Sequence, residues 1–249
     1  MARLYLIRHA QSENNAIWDG SGDHQPGRKP DPEITETGHR QAEQLAAHLA
    51  HPHSEPRQHP FQEAAHARYD LTHVYCSLMT RSILTAEYIA RACGLALEAL
   101  PDIFEKHGIF EADEQGNLRG LPGPGKSYFR ERFADLGLPA SLGDEGWWNR
   151  PAEDEAAFLE RMRGVVASMR ERLDGSDDNI AMVAHGDFID QFVNELMGVV
   201  RHRPNYDTHW VANWTFHNTS ISRIDFVDGA HNVVYLNRID HLPNELITW

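Results

Sequence analysis

A three-layer α/β/α fold with a mainly parallel sheet and an antiparallel edge is what this sequence predicts, and three observations carry the prediction. Short apolar runs alternate with stretches of helical apolar spacing along most of the 249 residues. Three of those runs end abruptly in polar or charged residues, and the last two alternate apolar with polar residues across the turn-like stretch DGAHN. Parallel strands need crossover connections, usually helices that cover both sheet faces, whereas two half-exposed strands joined directly form an antiparallel hairpin. There is no internal repeat. The chain therefore reads as a single domain over 1–249, with an insertion at about 51–70 and a lid at about 106–150.

The elements follow in order. RLYLI (3–7) is the first strand, and 38–50 places Ala42, Leu45, Ala46 and Leu49 on one helical face. The insertion is rich in His, Pro, Gln and Glu and lacks periodicity, so it interrupts the pattern before the strand at 72–76. A helix over about 78–92 follows, with Ser77 available as its N-cap, and then a short strand near 95–100. Residues 101–150 are the least regular part, and a long irregular stretch inside a compact domain is usually functional. Trp147 and Trp148 within it are expected to pack the lid onto the domain, since aromatic side chains mostly bury area. A helix over 152–173 keeps Phe158, Met162, Val165, Val166, Met169 and Leu173 on one face, with Gly175 as its stop. NIAMVAH (179–185) reads as a buried strand, a helix opens after Gly186, and strands near 219–227 and 232–239 close the chain.

Composition narrows the function classes. A net charge of −14 opposes a general nucleic-acid or anionic-membrane surface, because both are polyanions. No stretch approaches a membrane span and the first apolar run is broken by Arg3 and Arg8, so the expected location is cytoplasmic. Cys76 and Cys93, on a strand and the following helix, fit reduced residues better than a disulfide. His48, His51, His53, His59, His66 and His73 follow no compact ligand spacing, so no metal site is expected from them.

The chemistry lies at three strand ends. LYLI runs into Arg8 and His9, the strand at 72–76 into Ser77 and then Arg81, and IAMVA into His185 and Gly186. Parallel strands would bring all three to one carboxyl edge, where open α/β folds bind ligands. Two arginines and two histidines at one point suit a phosphoryl group. Guanidinium donor pairs match phosphate oxygens, and a neutral imidazole can attack phosphorus. The arginines would hold His9 unprotonated and spread the transition-state charge.

The residues in sequence are RHAQSENN (8–15), ITETGHRQA (34–42), SLMTRSILTA (77–86), IFEKHG (103–108), VAHGD (183–187) and NTS (218–220). In this order they resemble the motifs of the histidine phosphatase superfamily, in its phosphoglycerate mutase-like branch (branch 1). The first is similar to R-H-G-x-S-x-x-N, with Ala10 in place of glycine, and the third to S-P-x-x-R-A-x-x-T-A, with Leu78 in place of proline. The resemblance spans residues 4–220 and implies a phosphoglycerate mutase-like fold. It implies that His9 becomes phosphohistidine, that Arg8, Arg81 and His185 complete the phosphate pocket, and that Glu105 protonates the leaving oxygen and then activates water. Ser12, Asn15, Gly186, Asn218 and Ser220 would border the substrate. Glu13, Glu111 and Asp187 are other carboxylates to which the acid role could fall.

The expected function is a metal-independent phosphomonoesterase acting on a small phosphorylated metabolite, with no cofactor. A phosphoglycerate mutase is the alternative, and a non-catalytic phosphate binder a further one. The mutase segment E-R-H-Y-G is replaced here by EKHGI, and Arg130 and Arg132 are separated by Glu131, which weakens a second anion site. Lys126, Arg130, Arg132 and Arg150 are offset by acidic residues from Glu111 to Glu145. The partner expected is a small-molecule phosphate ester. A homodimer is compatible with the sequence.

Overall fold

The computed structural model describes residues 1–18, 25–50, 69–199 and 213–249. In chain order the elements are β1 (Ala2–Arg8), α1 (Glu13–Ile17), α2 (Glu36–Ala50), β2 (His73–Cys76), α3 (Thr80–Cys93), β3 (Leu97–Ala99), β4 (Phe110–Ala112) and β5 (Leu118–Gly120). They continue with α4 (Lys126–Arg132), β6 (Leu136–Gly137), α5 (Glu155–Leu173), β7 (Asn179–Ala184), α6 (Gly186–Leu196), β8 (Ile221–Val227) and β9 (Ala230–Arg238). Seven strands form one sheet in the order β6-β3-β2-β7-β1-β8-β9, and β4 and β5 pair separately.

Strand β1 is the centre of the site because both its neighbours are long and its faces are buried. It runs parallel to β7 and antiparallel to β8, and β2 lies parallel to β7 on the other side. Alternation divides its side chains between two cores. Leu4 and Leu6 pack with Phe158, Met162, Phe188 and Phe192 of α5 and α6, while Tyr5 and Ile7 pack with Leu45, Leu49, Ile83 and Ile89 of α2 and α3. That produces the expected three layers. The closing hairpin turns at Asp228 and Gly229, both at positive φ, as a two-residue turn matched to strand twist requires. The strand after it begins at Ala230, two residues before the expected start.

Residues 101–150 differ from the irregular stretch anticipated. They hold the β4–β5 hairpin, helix α4 and the edge strand β6. Phe129 and Phe133 of this region are buried in the core beneath α3, so its second half is part of the domain body. The short apolar spacings of these elements concealed them, since two- and three-residue strands carry no readable period. Trp147 and Trp148 do pack, against Phe104 and with Met79 and Ile109 nearby; the Phe104 and Trp148 rings meet edge-on at 4.8 Å. Most of the 51–70 insertion, with His51, His53, His59 and His66, lies outside the described residues. His48 bonds the Tyr69 hydroxyl at 2.8 Å, and Cys76 and Cys93 are free thiols. Among the described residues no helix is long and apolar enough to cross a membrane.

One glycine is fixed by a close approach. The Gln11 carbonyl accepts from Thr35 N at 2.9 Å, and a Cβ on Gly38 would overlap that same carbonyl oxygen. Gly38→Ala is therefore expected to destabilise by about 1–3 kcal/mol through overpacking, read as a lower urea midpoint with unchanged m. An unaltered midpoint would show that the segment after His9 gives way freely.

Candidate active site

The carboxyl ends of β1, β2 and β7 lie in register, with Arg8 opposite Ala184 and Cys76 opposite Val183. The residues that follow therefore meet at one edge: Arg8 and His9, Ser77, then His185 and Gly186. Helix α3 adds Arg81 from its first turn. The His9 and His185 rings lie 5.2 Å apart, and both are buried.

His9 is oriented from both sides. Its Nδ1 lies 2.7 Å from the Ala10 carbonyl, which assigns the proton to Nδ1 and leaves the lone pair on Nε2. Arg81 Nε donates to that Nε2 at 3.1 Å. Burial, then Arg81 and Arg8, push the His9 imidazole well below its ordinary value, so it is neutral at physiological pH. The arginines thus contribute as anticipated, but burial contributes more. His185 is likewise held neutral by burial first and Arg81 next.

Ser77 is not the N-cap of α3. Its hydroxyl lies 2.7 Å from His185 Nε2, and the helix begins at Thr80 after Met79, which offers no side-chain cap. The capping acceptor comes from elsewhere in the chain: the Asp31 carboxylate receives Thr80 N at 3.0 Å and Thr80 Oγ1 at 2.7 Å. A carboxylate at this helix start balances the cation at Arg81, which by itself opposes the helix dipole. Thr85, one turn on, donates to the Arg81 carbonyl and accepts from Ala10 N, joining α3 to the loop after His9.

Glu105 enters from the loop between β3 and β4. Its carboxylate accepts from Phe188 N at 3.0 Å and Asp187 N at 3.2 Å, the first turn of α6, and from Lys106 N at 2.9 Å. Burial, reinforced by Asp187, nevertheless raises its pKa to about 7. Glu13 instead pairs with Lys29, Glu111 with Arg119, and Asp187 is exposed. Of the four carboxylates considered, Glu105 is the one bound to the first turn of α6, directly after His185.

Three polar atoms at this edge are buried without a partner among the described residues, Arg8 Nε, His185 Nδ1 and Ser220 Oγ. The other end of the Arg8 guanidinium donates to the Phe216 carbonyl, which fixes its plane. Burial lowers the Arg8 pKa to about 10, so it remains a cation. A Cβ on Gly186 would lie 3.6 Å from Arg8 Nε and 3.9 Å from Glu105 Oε2, so the bare backbone at this position keeps the space between them open. Orphaned buried donors are rare in native proteins, and a donor on a fixed guanidinium suits an oxyanion.

The remaining sequence candidates hold the walls. Ser12 caps α1 in a reciprocal box with Asn15. Asn218 donates to the His9 carbonyl at 3.1 Å and to Asn15 Oδ1 at 3.2 Å, and accepts from Thr248 Oγ1 at 2.9 Å. Ser220 contributes its backbone carbonyl to Arg8 N at 3.2 Å, while its hydroxyl is buried without a partner. Gln41, from the T-x-x-G-x-x-Q-A element, accepts from Gln11 N at 2.7 Å and donates to Leu246 O and Thr248 Oγ1. It was legible only as a motif letter.

An open α/β sheet whose carboxyl edge gathers two neutral histidines, two arginines and a raised-pKa carboxyl defines a phosphoryl-handling α/β protein. The family model of the histidine phosphatase superfamily (branch 1) matches residues 4–59 and 61–239, and the chain belongs to that family. It is 28% identical over 227 residues to a Photorhabdus laumondii protein named "Probable phosphoglycerate mutase GpmB", covering 91% of this chain and 86% of that one. Among solved structures, the fold is similar to Entamoeba histolytica phosphoserine phosphatase, with a TM-score of 0.54, 19% identity and coverage of 98% and 100%. It is also similar to a mycobacterial glucosyl-3-phosphoglycerate phosphatase, with a TM-score of 0.56, 18% identity and coverage of 94% and 98%.

Proposed function

We propose that this protein is a phosphomonoesterase that works through a phosphohistidine at His9, without a metal ion, on a small phosphorylated metabolite. The observation that carries the reading is the meeting at one sheet edge of the buried His9 and His185 rings, 5.2 Å apart, with Arg81, whose Nε donates to His9 Nε2 at 3.1 Å, and with Arg8, whose Nε is buried without a partner among the described residues. Arg8 and Arg81 supply the positive charge that a metal would otherwise bring to the phosphoryl oxygens. His9 Nε2 attacks phosphorus and forms the P–N bond as the P–O ester bond breaks. The leaving alkoxide takes its proton from Glu105. The Glu105 carboxylate then removes a proton from water, the water oxygen attacks phosphorus, the P–N bond breaks, and His9 returns to its neutral form. Asn15, whose Oδ1 is engaged while its amide nitrogen has no partner among the described residues, and Gly186 border the bound ester. Two free thiols support a reducing compartment, the cytoplasm.

The mutase reading draws on the 28% identical relative. It needs cations beyond the phosphate pocket; three of those in the 106–150 region are engaged with carboxylates, Lys106 with Glu155, Arg119 with Glu111 and Arg132 with Glu33, while Lys126 and Arg130 lie near Asp144 without an ion pair among the described residues. Arg150 lies over the Trp148 ring, 4.1 Å from its centre. The two readings separate when purified protein meets p-nitrophenyl phosphate, a phosphometabolite panel and 2- or 3-phosphoglycerate in the presence of EDTA. Hydrolysis that persists in EDTA and exceeds phosphoglycerate interconversion is expected. Faster interconversion would make it a mutase, and inactivity on every substrate a binder.

A further inference from the structure

The loop that presents Glu105 would not hold its shape alone. His107, two residues on, has φ 72°, in the left-handed region that a non-glycine residue avoids, and Gly108 follows at φ 73°. What holds the loop comes from the strap before α5 and from α5 itself. Arg161 donates from Nη1 to the carbonyls of Asp102, at 2.9 Å, and Phe104, at 3.1 Å, the residues before Glu105. Its guanidinium lies over the Phe104 ring, 3.6 Å from the centre. Its other two donors make a paired contact with Glu153, at 2.7 and 2.6 Å. Glu153 closes the far side of the loop with its backbone: its carbonyl lies 2.7 Å from His107 Nδ1, and its N–H donates to the His107 carbonyl at 3.2 Å. The side chains of Arg161 and Glu153 are only 9% and 7% exposed.

We infer that Glu153 and Arg161 form a bracket around residues 102–107 that positions the Glu105 carboxyl on the first turn of α6 for proton transfer to the leaving group. Neither side chain reaches the phosphate pocket as a donor; they are positioning residues, acting through Glu105. The pairing explains why two ionic side chains are buried on a face that otherwise packs Phe104, Phe158 and Phe188: a guanidinium can bind two carbonyls and a carboxylate at once in one plane, which a lysine or an apolar residue cannot. The inference rests on the proton-donor reading of Glu105 given above.

The test separates positioning from general stability. Arg161→Lys keeps the charge opposite Glu153 and loses the second carbonyl bond. Turnover is measured on an alkyl phosphate, whose leaving oxygen needs a proton, and on p-nitrophenyl phosphate, whose leaving group does not. Since misplacement by about 1 Å costs up to about 100-fold, Arg161→Lys is expected to lower kcat/KM for the alkyl ester by about tenfold or more beyond its effect on p-nitrophenyl phosphate. Placed on Glu105→Gln, the same change is expected to add less than about twofold for the alkyl ester, because the group being positioned is already gone. Equal losses on both substrates, or full additivity with Glu105→Gln, would overturn the inference. The double replacement Glu153→Gln with Arg161→Met leaves no unpaired buried charge and is read the same way. If neither variant unfolds cooperatively, the pair serves the whole domain and the inference fails. If Glu105→Gln itself shows no leaving-group selectivity, the proton-donor reading falls first and takes the bracket with it; selectivity in Glu105→Gln but not in the Arg161 variants sinks the bracket alone.

Discussion

His9→Ala is expected to abolish turnover on every phosphate ester, with a loss of about 10⁴-fold or more, as removing a covalent nucleophile does elsewhere. The size follows from the geometry. His9 Nε2 carries a lone pair because Nδ1 is committed to the Ala10 carbonyl, and it faces the Arg81 guanidinium. A rapid quench of wild-type protein with ³²P-labelled substrate should trap label that survives alkali and is lost in acid, the behaviour of a phosphoramidate. Alkali-labile label, or label retained in His9→Ala, would place the nucleophile elsewhere. The fold should be retained, because the buried strand before His9 is unaffected.

Glu105→Gln should divide substrates by their leaving groups. General acid catalysis contributes about 10²–10⁴-fold, so kcat/KM for an alkyl phosphate is expected to fall by that range while kcat/KM for p-nitrophenyl phosphate, which ends at formation of the phosphohistidine, falls by less than about tenfold; kcat on both falls with the lost water-activating base. Glutamine preserves the shape and accepts through one oxygen from Phe188 N and Lys106 N, so position is largely kept while the proton is lost. A pH dependence follows with a definite sign. The acid must be protonated to act, and burial together with Asp187 raises its pKa to about 7. Wild-type kcat/KM for an alkyl phosphate should therefore fall as pH rises through about 7, and this limb should vanish in Glu105→Gln. His9 imposes no opposing limb near neutrality, because its pKa is pushed well below the ordinary histidine value. Equal losses of kcat/KM on both substrates, or an alkaline limb unchanged in the variant, would remove Glu105 from the acid role.

Most of the site was legible because its residues sit at places that sequence alone identifies. Arg8, His9 and His185 follow apolar strands, and parallel pairing sends all such ends to one edge. Arg81 stands where a cation is unfavourable, which marks it as needing another reason. What escaped was made by contacts between distant segments. Ser77 looked like a cap and is a partner of His185, 108 residues away. The real cap of α3 is Asp31, 49 residues before Thr80, inside a stretch with no periodicity. Asn218 and Ser220 support the His9 and Arg8 backbone, a use that no spacing announces. The region 101–150 was read as irregular although it contains a hairpin, a helix and an edge strand, because its strands are two and three residues long.

By itself the sequence determined the layer architecture, the parallel core with its antiparallel edge, and the residue types that meet at the carboxyl edge. Those follow from local periodicity and from the few ways in which strands alternating with helices can pack. Only the tertiary structure shows how Glu105, which the motif resemblance implied, is held at this edge and why its pKa is raised. Glu105 acquires its raised pKa from burial together with Asp187, and its carboxylate is held by the N–H groups of Asp187 and Phe188, about eighty residues further along the chain. Desolvation and hydrogen-bond direction are properties of the packed interior and have no signature in the order of residues.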